Sequence, residues 1–143
     1  MKIQAHVSIM VQLLDRFICA AKIVTKSNGF VFFEWPRRCM YWKRKDVQDM
    51  IQTLKLVPTR FDGCALGLKS VNKGKEHMFV MKPWIVYHNS NHFEQVFQPF
   101  KCPGVSRIHE HDQCRGANAK MSERYTDVFA VNVHRTLRMD FEC

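Results

Sequence analysis

Residues 30–36 read FVFFEWP, and this stretch decides the fold. Phe30 to Phe33 are continuously apolar, which predicts a short strand buried on both faces. Pro36 has no N–H to give to a ladder, so the strand must stop there. That places Glu34 at the carboxyl end of a buried strand, the edge at which ligands bind in open α/β sheets.

Upstream, residues 3–26 predict an amphipathic helix. Val7, Met10, Val11, Leu14, Phe17, Ile18, Ala21 and Val24 recur at three- and four-residue steps, and Ser27-Asn28-Gly29 ends the pattern. The stripe is read as packing on a sheet, with a free partner-binding helix as the alternative. Downstream, a helix is expected from Asp46, which can cap it, through Val47, Met50, Ile51 and Leu54 to a stop at Pro58. Residues 59–68 predict a second strand bent at Gly63 and Gly67. A hairpin tip at Asn72-Lys73-Gly74 would join strands over 65–70 and 78–88, and Pro83 argues that the second of these is an edge or is bulged. A short helix after Asn91 and a last helix opening at Ser122 or Thr126 complete the order. A right-handed crossover would make the first two strands parallel. Together these elements predict a single α/β domain over residues 1–143, three layers deep, with a mixed sheet.

The chain has 143 residues, 46% hydrophobic and 24% charged, which is the composition of a folded domain with its own core. Lys and Arg number 22 against 13 acidic residues, a net charge of +9. This excess suits a polyanion, DNA or RNA, although a basic surface with no specific partner has the same composition. No run approaches the length of a membrane span, and no secretory signal pattern is read at the start. The expectation is an intracellular, nuclear or cytoplasmic protein, not secreted, whose six cysteines are free or metal-bound.

The clearest chemistry lies in residues 100–116, FKCPGVSRIHEHDQCRG. Cys102, His109, His111 and Cys114 offer two thiolates and two imidazoles, the ligand types and number that fill a tetrahedral Zn²⁺ shell. Their spacing, C-x6-H-x-H-x2-C, is not that of the familiar fingers. A closed site of this kind is structural: it would clasp a loop poor in apolar residues to the α/β unit and launch the last helix.

A second candidate surface is the basic-aromatic segment after the strand. Trp35, Arg37, Arg38, Lys43, Arg44 and Lys45, with Tyr41 and Trp42, could grip phosphates and stack on bases. Tyr41 and Trp42 could equally pack the core. Glu34 could contact a base edge or transfer a proton, or simply pair with Arg37 or Arg38. Cys64, with no histidine near it in sequence, reads as a buried inert thiol, and His88 and His92 as surface residues of a turn. No Gly-rich phosphate loop and no G-x-S-x-G elbow occurs, which removes the common nucleotide-binding and hydrolase readings.

Two resemblances follow from these blocks. FVFFEWPRRCMYW, a helix, DGCALGL, a turn and KPWIVYHNS are similar in layout to the C-terminal half of a DNA (cytosine-5) methyltransferase core. That resemblance implies a Rossmann-like half, with Glu34 at the family's base-contacting Glu and Gly67 and Lys82-Pro83-Trp84 near its Gly and Gln-x-Arg-x-Arg block. Trp35-Pro36 stands where that family has Asn-Val, and neither an S-adenosylmethionine loop nor a Pro-Cys nucleophile is present. More closely, EWPRRCMYW, DGCALGL, KPW, the Cys/His cluster ending CRG, and SERY resemble an uncharacterised domain of invertebrate retroelement-type polyproteins. The resulting expectation is a mobile-element-derived, zinc-stabilised α/β domain that binds nucleic acid without catalysis of its own. The alternative is an incomplete or inactive remnant of a methyltransferase-like enzyme that needs an N-terminal cofactor-binding half.

Overall fold

The computed structural model describes residues 2–142, with side chains from residue 6 onward. Helix α1 (Lys2–Lys26) follows the apolar stripe: Leu14 and Ala21 are buried, and Met10, Phe17 and Ile18 pack beside them. It closes at Asn28, whose φ is 56°, with the Gly29 N–H bonded to Val24 O at 2.8 Å. A Cβ on Gly29 would lie 2.6 Å from a Val24 methyl and 3.0 Å from its carbonyl oxygen, so the close return of the chain favours glycine.

Strands β1 (Phe32–Pro36), β2 (Val57–Asp62) and β4 (Pro83–His88) form one sheet in the order β1-β4-β2, with both pairings antiparallel. The expected parallel pairing of the first two strands is therefore corrected. They run in the same direction, as crossover logic requires, but β4 enters between them. The continuously buried strand is β4, where Trp84, Ile85 and Val86 are all buried, whereas β1 is a half-buried edge. Pro83 is accommodated in the central strand because it is the first residue of β4. Glu34 falls in the middle of β1, opposite Val86, and not at the strand's carboxyl end.

The period of two along each strand divides the core. Phe33, Trp35 and Tyr87 meet α1 and α2 (Lys45–Thr53) around Leu14, Val47, Met50 and Leu56. On the other face, Phe32, Phe61, Trp84 and Val86 meet α3 (Phe93–Phe97) and α5 (Asp127–Phe141). There Phe61 lies 5.0 Å from Phe97, which stacks on Phe93 at 4.2 Å between ring centroids. Helices thus cover both faces of the small sheet.

The elements differ from expectation in detail. Helix α2 ends at Thr53, and Pro58 lies inside β2. Arg44 occupies the N-cap position of α2, and Asp46 accepts from Arg44 and from its neighbour Val47 N–H instead. The strand expected over 59–68 breaks at Asp62 into a 3₁₀ turn, Gly63–Leu66. Of the expected hairpin, Ser70 N–H bonds Met78 O and Val80 N–H bonds Leu68 O, but β3 (Phe79–Val80) pairs in parallel with β5 (His111–Asp112). Residues 117–121 add a short helix, α4 (Ala117–Met121), not foreseen in the sequence.

Two polar knots fix the periphery. Asp140 of α5 accepts from Ser90 Oγ, from Asn91 N–H at 3.0 Å and lies 2.9 Å from His92 Nδ1. Ser90 Oγ in turn accepts from the Phe93 N–H, so it performs the capping expected of Asn91. Asp112 of β5 accepts from Ser70, Asn72, Lys75 and Asn118. No helix of the described residues is long and apolar enough to cross a membrane.

Candidate metal centre

Four side chains meet where the end of β2, the segment before β4 and the 100–112 segment converge. The ligand atoms of Cys64, Cys102, His109 and His111 all lie within 4.8 Å of one another. Cys102 Sγ is 3.8 Å from His109 Nε2 and 3.6 Å from His111 Nε2. A sulfur and a nitrogen bound at about 2.3 and 2.0 Å to one tetrahedral zinc lie about 3.5 Å apart, so the spacing fits a shared ion.

Each ligand is positioned by a different device. Cys64 sits in the 3₁₀ turn that follows β2, held by Gly63 N–H on Lys82 O at 2.8 Å. A Cβ on Gly63 would come within 3.1 Å of the Trp84 ring, so the turn packs directly on the central strand. Cys102 is anchored by Asp62: Asp62 N–H donates to Phe100 O, and its Oδ2 accepts from Cys102 N–H at 3.0 Å. The Gly104 N–H points at Cys102 Sγ from 3.4 Å, a donor suited to a thiolate, and Gly104 makes that return with φ 90°. His109 is stacked on Phe79 at 4.4 Å, and Lys69 Nζ also lies over the Phe79 ring, 3.4 Å from its centroid. His111 belongs to β5, so its position follows from the pairing of β5 with β3.

Burial, and next the neighbouring Cys102, push the Cys64 thiol up to about 12. Burial and the adjacent His111 hold His109 below the ordinary imidazole value. The His109 shift favours the metal-ready neutral imidazole, whereas the Cys64 shift leaves an unreactive thiol unless an ion displaces its proton.

The structure brings together three of the four residues expected from the sequence, Cys102, His109 and His111. Cys114 is not among them: its Sγ lies 3.7 Å from Ser122 Oγ, and it packs against the aromatic core. The strand β5 ends at Asp112, and the knot around Asp112 directs the following residues toward α4 and away from the cluster. Cys64 takes the fourth place. Nothing adjacent to it in the sequence signals this, because the chain reaches the other ligands only through the fold.

The second candidate surface is divided by β1. Trp35 points into the cluster of Phe33, Tyr41 and Trp42, with Trp42 Nε1 donating to Pro36 O at 3.0 Å. Glu34 points to the opposite face, where Tyr125 donates to its Oε2 at 2.6 Å. Its Oε1 is buried with no hydrogen-bond partner, and burial raises its pKa despite Tyr125 and Lys82. It lines an apolar cavity of about 260 Å³ with Phe32, Phe93 and Phe129. Arg37 pairs with Asp62, Arg44 with Asp46 and Lys45 with Asp49, while Arg38 and Lys43 are exposed with no acidic partner within 4 Å among the described residues. His88, expected at the surface, is buried, with Nε2 2.9 Å from Thr59 Oγ1. His92 is half-buried against Asp140.

No family model, curated protein or solved structure matches the chain. The site is therefore read on its own chemistry. Two sulfurs and two imidazoles converging from separated segments can hold one Zn²⁺ with every tetrahedral position filled by protein, the arrangement of a structural centre.

Proposed function

We propose that the chain is a zinc-stabilised α/β binding module that engages nucleic-acid phosphates through its basic surface and performs no catalysis alone. The observation that carries the reading is the convergence of Cys64, Cys102, His109 and His111, which leaves no ligand position for a substrate. An ion there ties the 100–112 segment to the end of β2. It supplies the cross-link that this apolar-poor stretch lacks, since Val105 and Ile108 are exposed.

The charge supports the partner. Among the described residues, ion pairs within 4 Å engage only Arg37, Arg44, Lys45, Lys75 and Arg138 of the Lys and Arg side chains. The net charge of +9 is thus largely free to meet a polyanion. Arg38 and Lys43 are the contacts retained from the basic-aromatic segment, whereas Glu34 and Trp35 face inward on opposite sides of β1. The origin in a mobile element is carried by the block resemblance alone. The methyltransferase-like alternative draws no support from a sheet whose pairings are antiparallel.

Fluorescence anisotropy on single- and double-stranded DNA and RNA across a salt series tests the proposal. The logarithm of affinity should fall linearly with the logarithm of salt concentration, and Arg38→Ala and Lys43→Ala should each reduce the slope by about 1. Binding that is absent at low salt, or insensitive to salt, would overturn it.

A further inference from the structure

A fifth soft donor stands beside the four ligands. Met81 lies in the two-residue link between β3 and β4, and its Sδ is 3.6 Å from Cys64 Sγ. Two sulfurs bound to one ion at about 2.3 Å each lie roughly 3.8 Å apart, so the thioether is already near the distance at which it would share a metal with Cys64. The same backbone tie that positions Cys64, Gly63 N–H on Lys82 O, fixes the link that carries Met81. Met81 is 37% exposed, whereas Cys64 and His109 are buried.

Resting on the reading of this cluster as a metal centre, we propose that it takes two classes of ion in two ligand modes. Zn²⁺ would use Cys64, Cys102, His109 and His111. Cu(I) would use Cys64, Cys102 and Met81, with both imidazoles set aside. The reason is donor softness: thiolate and thioether select Cu(I), whereas imidazole adds to thiolate in the tetrahedral zinc shell. A monovalent d¹⁰ ion is satisfied by three sulfurs, and no electron transfer is involved when the ion is supplied already reduced. Methionine has no such value for zinc, so it separates the two modes.

Anaerobic titrations decide it, with Cu(I) competed against bathocuproine disulfonate and Zn²⁺ against a chromophoric chelator, on wild type, Met81→Leu and His109→Ala. Met81→Leu should weaken Cu(I) by about tenfold or more and leave zinc affinity within about twofold. His109→Ala should do the reverse. X-ray absorption of the wild-type Cu(I) form should show sulfur neighbours only, which keeps the test valid if a variant fails to fold. The proposal falls if wild type binds no Cu(I), if nitrogen neighbours appear, or if Met81→Leu affects both ions equally or neither. Absence of zinc binding in the wild type, with the Cu(I) pattern intact, would overturn the zinc reading and with it the two-ion proposal, leaving a Cu(I) site alone; zinc binding with no Cu(I) binding would overturn this proposal and leave the zinc reading standing.

Discussion

Cys64 and Cys114 exchange roles between sequence and structure, and a single measurement separates them. Metal analysis of the purified protein should find one Zn²⁺ per chain, lost in Cys64→Ser, Cys102→Ser and His111→Ala and retained in Cys114→Ser. Retention in Cys64→Ser with loss in Cys114→Ser would restore the sequence-local set. Local spacing could name Cys102, His109 and His111 because all three lie within ten residues of one another. It could not name Cys64, because a ligand delivered by a turn after β2 is adjacent only once β2 has paired with β4. Glu34 illustrates the same limit. Its neighbours Trp35 and Arg37 suggested one shared surface, but alternation along β1 sends Glu34 and Trp35 to opposite faces.

At the scale of elements, helices were legible where their own periodicity defined them. Helix α1 follows its expected stripe apart from the exposed Val24, whereas α5 forms where expected but turns Phe129, Thr136 and Asp140 inward and leaves Val128 and Val131 exposed. Thr126, one of the two expected openings, caps α5, its hydroxyl accepting from Phe129 N–H at 3.2 Å. That hydroxyl also donates to Leu66 O at 2.8 Å, joining α5 to the turn that carries Cys64. Thr126→Ala should cost about 1–2 kcal/mol in chemical denaturation, and Thr126→Ser appreciably less. Equal losses in the two variants would show that the methyl group and not the hydroxyl matters. Strand order was not legible, because an apolar run reports burial and not its neighbours. FVFF and PWIVYH are both apolar, and only the register of β4 against β1 and β2 reveals which is central.

For the whole molecule, acid should act through Asp112. Its bond from Lys75, followed by those from Ser70 and Asn72, holds the carboxyl well below the ordinary carboxylate range. A depressed folded pKa contributes stability that is present above the unfolded value of about 3.9 and lost as pH falls through the folded value. The gap in urea midpoint between wild type and Asp112→Asn should therefore be full at neutral pH and close progressively below about pH 4. A gap that is constant down to strongly acidic pH would assign the effect to lost hydrogen-bond geometry instead of charge. His88 adds an earlier step: burial lowers its pKa, so the fold binds fewer protons than the unfolded chain and loses stability as pH drops below about 6.5.

The position of β4 between two earlier strands has a consequence for synthesis. As the chain emerges from a ribosome, β1 and β2 have no ladder partner of their own, because each pairs only with β4 among the strands of that sheet. Their edges stay open until residue 88 is available, and α3 lacks the Asp140 end of its polar knot until the last turn of α5 is made. The nascent protein therefore passes through an interval in which α1 and α2 can already meet but the sheet is open-edged. In that interval a chaperone, or a second nascent chain, meets those edges first.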